Sequence, residues 1–251
     1  MLTHIGMTPD QVQRIRERCA QLAGGAADVD VTAVEDADRR YRRERAEYVR
    51  RRSLELSTLP VHFAGATFAD YRESLHNGRA LVAAKRCIDS DFRAGMGLYG
   101  EPGVGKSHLA AIVFAAAIAA GHMAIYTSAQ RMLSSIRDAY NGDDSQERGA
   151  TEVRMIERYA KVPVLVLNDL GKEQLTPWSL QMLFHIFDLR WDLGRPLIVT
   201  ANLSVVQLAE HYRARLRDVD EWTGGALMDR VAGMTGIPWV EITGQSLRWG
   251  E

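Results

Sequence analysis

What the chain has little of already excludes several kinds of protein. No apolar run in its 251 residues reaches the roughly 18 that a membrane span requires, and the longest, LAAIVFAAAIAA at 109–120, reads as a buried helix. The N-terminus has no succession of basic, apolar and small residues marking it for export, so a cytoplasmic protein with no membrane partner is expected. Cysteine occurs only as Cys19 and Cys87, far apart and without histidines at ligand spacing, which argues against a disulfide framework and against a zinc site. Lysine is scarce, with four among 31 basic residues, and a net charge of −1 excludes a uniformly basic surface for nucleic acid. No internal repeat or long low-complexity tract is visible.

What is present is the composition of a soluble globular chain, 46% hydrophobic and 25% charged, long enough for one sizeable core and a smaller N-terminal piece. The basic residues are unevenly placed. RRYRRERAEYVRRR, Arg39 to Arg52, holds eight arginines against two glutamates, which either attracts an acidic partner or phosphates or forms a solvated helix face. A first helix is expected over TPDQVQRIRERCAQLAGG, with Thr8 as cap, Pro9 at the first position, Gln11 three residues after the cap, and Gly24 and Gly25 at the end. A second, highly charged and poor in apolar residues, is expected from about Thr32 to Leu56, ending before Pro60. Such helices cannot build a core alone. Residues 1–58 are therefore expected to form a helical partner-binding module, and residues 59–251 a separate domain.

Beyond residue 60, short apolar runs alternate with amphipathic segments, the pattern of an α/β protein with a five-stranded parallel sheet flanked by helices. The expected strands are MGLY 96–99, MAIYT 123–127, VLVL 164–167, PLIVT 196–200 and WVEIT 239–243. Helices are expected near 78–93, 106–120, 129–140, 151–160, 177–193 and 204–216, with a polar loop at 141–150.

One stretch carries chemistry on its face. GLYGEPGVGKSHLA, 97–110, contains Gly100, four residues, then Gly105, Lys106 and Ser107, placed between an expected strand and an expected helix. This is the G-x-x-x-x-G-K-[ST] phosphate loop in the context it requires. Its glycines let backbone N–H groups curl around phosphate oxygens, the helix N-terminus adds positive charge, Lys106 reaches the outer phosphates and Ser107 offers a hydroxyl to Mg2+. The residues from Gly100 through Glu101, Pro102, Gly103 and Val104 to His108 are thus the candidate ATP cradle. An ATPase also needs an acid-bearing strand beside the first, and VPVLVLNDLGKE is the candidate. There Asn168 stands where an aspartate near Mg2+ is usual, so one negative charge is missing, and Asp169 is the group to polarise a water. A core strand ending in a plain turn is the alternative.

With these motifs the chain resembles the DnaC/DnaI-like and IstB-like branch of AAA+ ATPases. The resemblance rests on GEPGVGKSHLA at 100–110, VLVLNDLGKE at 164–173, RPLIVTANLS at 195–204, and GALMDRVAGM at 225–234 ahead of WVEITGQSLR at 239–248, with Pro60 to Tyr71 leading in as P-x-x-F-x-x-x-T-F-x-x-Y. It covers about residues 60–248 and implies a P-loop AAA+ core with ATP and Mg2+ as cofactors. It further implies that Asn202 is a sensor of the terminal phosphate or its water, the alternative being a cap of the following helix. Arg230 is implied to be an arginine finger for a neighbouring subunit's nucleotide, the alternative being a pairing with Asp229 or Asp218. Arg248 is a candidate second sensor, although the chain ends too soon for the usual helical lid, so a reduced or absent lid is expected.

The resemblance implies a loader of a replicative DNA helicase that self-associates through its AAA+ module on single-stranded DNA and grips the helicase with its N-terminal helices. Arg131, Arg137 and Tyr140 in SAQRMLSSIRDAYNG are the residues placed for DNA contact, or equally a solvated helix face. A transposition helper of the IstB type acting on duplex DNA and a weakly hydrolysing nucleotide-binding adaptor remain alternatives, the latter because of Asn168.

Overall fold

The computed structural model describes residues 31–71, 76–140, 148–215, 221–236 and 239–246. The helix expected over residues 8–25, Arg248 and most of the polar loop lie outside them. The chain divides into two units, Met1–Glu44 and Arg45–Glu251. Helix α1 (Val31–Leu56) contributes to both. In the first unit, residues 36–44 are exposed and carry ion pairs within the helix, Arg39 with Asp36 at 3.3 Å and Arg42 with Asp38 at 2.8 Å. Exposed pairs of this kind contribute little.

The second unit is built on a parallel five-stranded sheet: β1 (Met96–Tyr99), β2 (Ala124–Ser128), β3 (Val164–Leu170), β4 (Leu197–Ala201) and β5 (Val240–Glu241), in the order β2-β3-β4-β1-β5. The acid-bearing strand was expected beside the phosphate-loop strand. Instead β4 lies between β1 and β3 and pairs with both. The strands read as unbroken apolar runs because both faces are covered. Leu165 and Leu167 of β3 and Leu197 and Val199 of β4 enter one core, whereas Val164, Val166 and Ile198 enter the other. The first core is filled by α4 (Ala129–Tyr140), α5 (Arg148–Lys161), α6 (Pro177–Asp192), α7 (Val205–Arg215) and α8 (Glu221–Thr235), the second by α2 (Gly78–Asp89) and α3 (Lys106–Ala119). Helix α3 is apolar nearly all round and is buried along most of its length, which suits its place against the sheet. Among the described residues no helix is long and apolar enough to cross a membrane.

Local chemistry sets several of these elements. Helix α6 starts at a capping box, in which Ser179 N donates to Thr176 Oγ1 (3.1 Å) and Thr176 N to Ser179 Oγ (2.8 Å), with Pro177 in the first turn. Such a cap is worth about 1 kcal/mol. Arg190 of α6 is fully buried and donates to the carbonyls of Tyr159 (2.7 Å), Ala160 (3.2 Å), Val162 (2.9 Å) and Pro196. It thereby satisfies the open C-terminus of α5 and the entry to β4. Burial lowers its guanidinium pKa to about 9, so it remains protonated at neutral pH.

Two expectations are corrected here. Helix α8 was not foreseen, because TGGALMDRVAGM carries glycines that disfavour a helix. Burial of Leu227, Met228 and Val231 overrides that propensity, and a Cβ at Gly233 would lie 2.1 Å from the Trp191 ring. The boundary expected between residues 58 and 59 also moves. Edge strand β2 is covered by residues 53–58: Ala124 N donates to Ser53 Oγ (3.1 Å), Tyr126 N to Ser57 Oγ (2.9 Å) and Thr58 N to Tyr126 O (2.7 Å). These bonds occupy polar groups that a free sheet edge would expose. Residues 45–58 therefore belong to the unit that holds the sheet, and the division falls at Glu44.

Candidate nucleotide site

The loop from β1 to α3 adopts the conformation its glycines permit. Gly100, Gly103 and Gly105 have φ of 139°, 91° and 98°, a region that costs side-chain-bearing residues energy and lets consecutive N–H groups converge. Val104 is buried and anchors the loop in the core, while Glu101 and Pro102 are exposed. No side chain caps α3, whose first helical residue is Lys106, so its first-turn N–H groups point toward the loop's concavity. Lys106 is 4% exposed, and its Nζ donates to Gly100 O and Glu101 O at 2.7 Å each.

Beside this loop is a cavity of about 190 Å³. The loop and α3 contribute Pro102, Gly103, Gly105, Lys106, Ser107 and His108 to its wall, the carboxyl ends of β3 and β4 contribute Asp169, Lys172 and Asn202, and the turn before α2 contributes His62 and Phe63. His108 stacks on Phe63 (5.4 Å between centroids, 15° between planes) and meets Tyr71 edge-on at 5.4 Å. Burial lowers the His108 pKa, against the opposing pull of Asp70, and keeps the ring neutral at pH 7.

The end of β3 is shaped by Thr200 of β4. Its hydroxyl donates to Asn168 Oδ1 at 2.7 Å and accepts from Asp169 N at 3.0 Å, where the ladder shifts register between Leu167 and Leu170. Asp169 adopts φ 58°, which aspartate tolerates better than most residues. The chain then turns back, with Lys172 N on Asp169 O at 3.3 Å and Lys172 Nζ 2.9 Å from Asp169 Oδ1. Glu173, buried, accepts from Gly171 N at 2.9 Å and from the Tyr212 hydroxyl of α7, which fixes the turn to the core.

The candidates thus separate. Lys106, Ser107, His108, Asp169 and Asn202 share one cavity; Asn168 adjoins it, its Oδ1 engaged by Thr200. Asn202 does not cap α7. That role falls to Ser204, whose Oγ accepts from Gln207 N (3.3 Å) while Gln207 Oε1 accepts from Ser204 N (2.9 Å). Asn202 Oδ1 is buried with no hydrogen-bond partner among the described residues, an amide oxygen available to a ligand. Arg230 does not line the cavity. It pairs with Asp188, Nε to Oδ1 at 2.9 Å, and its guanidinium lies 5.7 Å from the Trp191 ring centroid, whereas Asp218, one of the two expected partners, lies outside the described residues. On α4, Arg131 is exposed and Arg137 lies over Trp178 at 4.9 Å; the Tyr140 side chain is outside the described residues. The sequence reading missed His62, Phe63, Lys172 and Thr200. All four lay inside quoted motifs, His62 and Phe63 in Pro60 to Tyr71, Lys172 in VLVLNDLGKE and Thr200 in RPLIVTANLS, but without an assigned role.

These residues fit a nucleotide: positive-φ glycines, a buried ammonium and an unpartnered amide oxygen converge on one space. Among the described residues no group of three His, Cys, Asp or Glu side chains could hold a metal alone. Mg2+ would therefore rely on phosphate oxygens together with Ser107.

The family described as IstB-like ATP binding protein matches residues 17–251. The uncharacterized protein YdaV of Escherichia coli is 25% identical over 85% of this chain and 79% of its own length. An ATP-binding protein assigned to insertion sequence IS5376 of Geobacillus stearothermophilus is 26% identical over 62% of this chain and 59% of its own. The replicative helicase loader DnaC of Escherichia coli is 21% identical over 63% of this chain and 64% of its own. The chain thus spans less than two thirds of the last two. Among solved structures it shares its fold with DnaI (TM-score 0.61, 21% identity, 74% of this chain and 96% of that one) and with the DnaC helicase loader (TM-score 0.60, 20% identity, 73% and 100%).

Proposed function

Because the chain belongs to the family of IstB-like ATP binding proteins, we propose that its cavity binds and hydrolyses ATP, and that this AAA+ ATPase loads a replicative DNA helicase. The observation that carries the ATPase reading is the meeting of Lys106, Ser107, Asp169 and Asn202 in one cavity. The loop N–H groups, the α3 N-terminus and Lys106 hold the outer phosphates. Asp169 polarises the attacking water, and Asn202 Oδ1 accepts a hydrogen bond from it. Ser107 and Asn168 are the residues that would hold Mg2+, which would supply positive charge to the outer phosphates. Arg230, paired outside the cavity, acts on the nucleotide of a neighbouring subunit when the modules self-associate.

The loader reading is supported by the likeness to helicase loaders and by the arginine cluster, part of which falls in the separate first unit. Residues 1–44 bind the helicase, and Arg131 and Arg137 contact single-stranded DNA. A pull-down of the full chain with the host's replicative helicase, repeated after deletion of residues 1–44, tests this: retention should disappear with the deletion and weaken with salt. The insertion-sequence relative favours a second reading, a transposition helper on duplex DNA. A chain that ignores the helicase but binds duplex DNA and a transposase supports the helper. For Arg230, subunits carrying Arg230→Ala should regain activity when mixed with Lys106→Ala subunits, and no rescue at any ratio would assign Arg230 to structure alone.

A further inference from the structure

Two of the four lysines in the chain, Lys106 and Lys172, line the same cavity. On the acid side, Asp169 is the one carboxylate among the described lining residues. Its neighbour Asn168 brings a neutral amide already engaged by Thr200. Lys172 Nζ stands 2.9 Å from Asp169 Oδ1, with the two side chains 47% and 31% exposed. The tight turn from Asp169 to Lys172, held also through Glu173, fixes the base of the lysine while its stem stays flexible.

Anionic oxygens strengthen a divalent-cation site, and here an ammonium already sits on the one carboxylate among the described lining residues. A partly exposed ion pair costs little to open. A charge-assisted bond to a phosphate oxygen in the same cavity is a stronger alternative for the same ammonium.

We propose, on the basis of the ATP-site reading above, that Lys172 is a built-in cation of this site. Its ammonium exchanges the Asp169 carboxylate for the outermost phosphate of a nucleoside triphosphate. Two consequences follow from the charges. The triphosphate is held with less dependence on Mg2+, since a second lysine supplies charge that a metal and two acids would otherwise manage. Asp169 is freed toward the water only when the third phosphate is present, which makes Lys172 a positioning residue for Asp169 and a determinant of triphosphate over diphosphate.

The test is titration of the full chain with fluorescent ATP and ADP analogues, each with Mg2+ and with EDTA. Lys172→Met should weaken binding of the ATP analogue in EDTA by roughly tenfold, weaken it much less with Mg2+, and leave ADP-analogue affinity unchanged. Lys172→Arg should restore the wild-type pattern. Equal effects of Lys172→Met on both analogues, or no effect in either buffer, would reduce the pair to surface chemistry and overturn the proposal. Lys106→Ala separates this from the underlying site: if it binds as wild type does, the ATP-site reading itself fails, whereas loss of binding beside a neutral Lys172→Met sinks Lys172 alone.

Discussion

The loop after β1 and the turn after β3 border one cavity by different means. In the loop the main chain does the work: three glycines at positive φ, an uncapped helix start and a buried lysine on the loop's own carbonyls. In the turn, side chains from three elements do it. Thr200 of β4 bridges Asn168 and Asp169, Glu173 ties Gly171 to Tyr212 of α7, and Lys172 meets Asp169. A site made from backbone conformation tolerates few residue types at fixed spacing. A site made from a side-chain network can be assembled from many, so its members do not announce themselves.

The comparison can be broken first at Lys106. Replacing it with alanine should cut affinity for a fluorescent ATP analogue by roughly a hundredfold or more, the weight of a charge-assisted phosphate contact. The variant should still fold, with a loss of about 1–3 kcal/mol in urea unfolding from the two carbonyls that lose the ammonium. Unchanged affinity in a folded variant would remove the loop from phosphate binding altogether.

The turn should respond differently. Thr200→Val keeps the side-chain shape and removes both hydrogen bonds, leaving Asp169 N and Asn168 Oδ1 without that partner. A loss of about 1–3 kcal/mol in urea unfolding is expected, with slower hydrolysis and near-normal nucleotide affinity. Loss of affinity without loss of hydrolysis per bound nucleotide would mean that the turn, like the loop, holds phosphate.

A smaller effect is expected at Gly105. Alanine there must adopt φ 98°, and its Cβ would lie 3.1 Å from the Tyr71 hydroxyl. About 1–2 kcal/mol of strain should appear as weaker nucleotide binding by up to roughly tenfold. Wild-type affinity would show that the positive φ is dispensable. The mildest change is Asn168→Asp: Thr200 can still donate to the new carboxylate, so stability should hold, while Mg2+ dependence tightens and turnover rises a few-fold. Lower turnover would mean that the amide is itself adapted to the site.

The same division runs through the fold. The five expected strands fall on β1 to β5 within two residues, except that β3 runs three residues further, to Leu170, because an unbroken apolar run between polar segments is a local property of a strand covered on both faces. The phosphate loop was legible for the same reason, since glycine at positive φ and a lysine at the helix start are demanded by the chain's own geometry. Arginine-rich residues 45–52, by contrast, looked detached from the domain and belong to it.

Sequence alone thus determined the strands, most helices, the nucleotide loop and the residue types at the end of β3. Tertiary structure decided that β4 lies between β1 and β3, that Ser53 and Ser57 cover the edge of β2, that Ser204 rather than Asn202 caps α7, and that Arg190 closes the end of α5. Each of those depends on hydrogen bonds or burial settled by what the folded chain brings alongside. Ser53 reaches a strand 71 residues away and Thr200 reaches Asn168 across 32. A serine or threonine has the same composition whether it meets water or an unpaired strand edge, and only packing determines which.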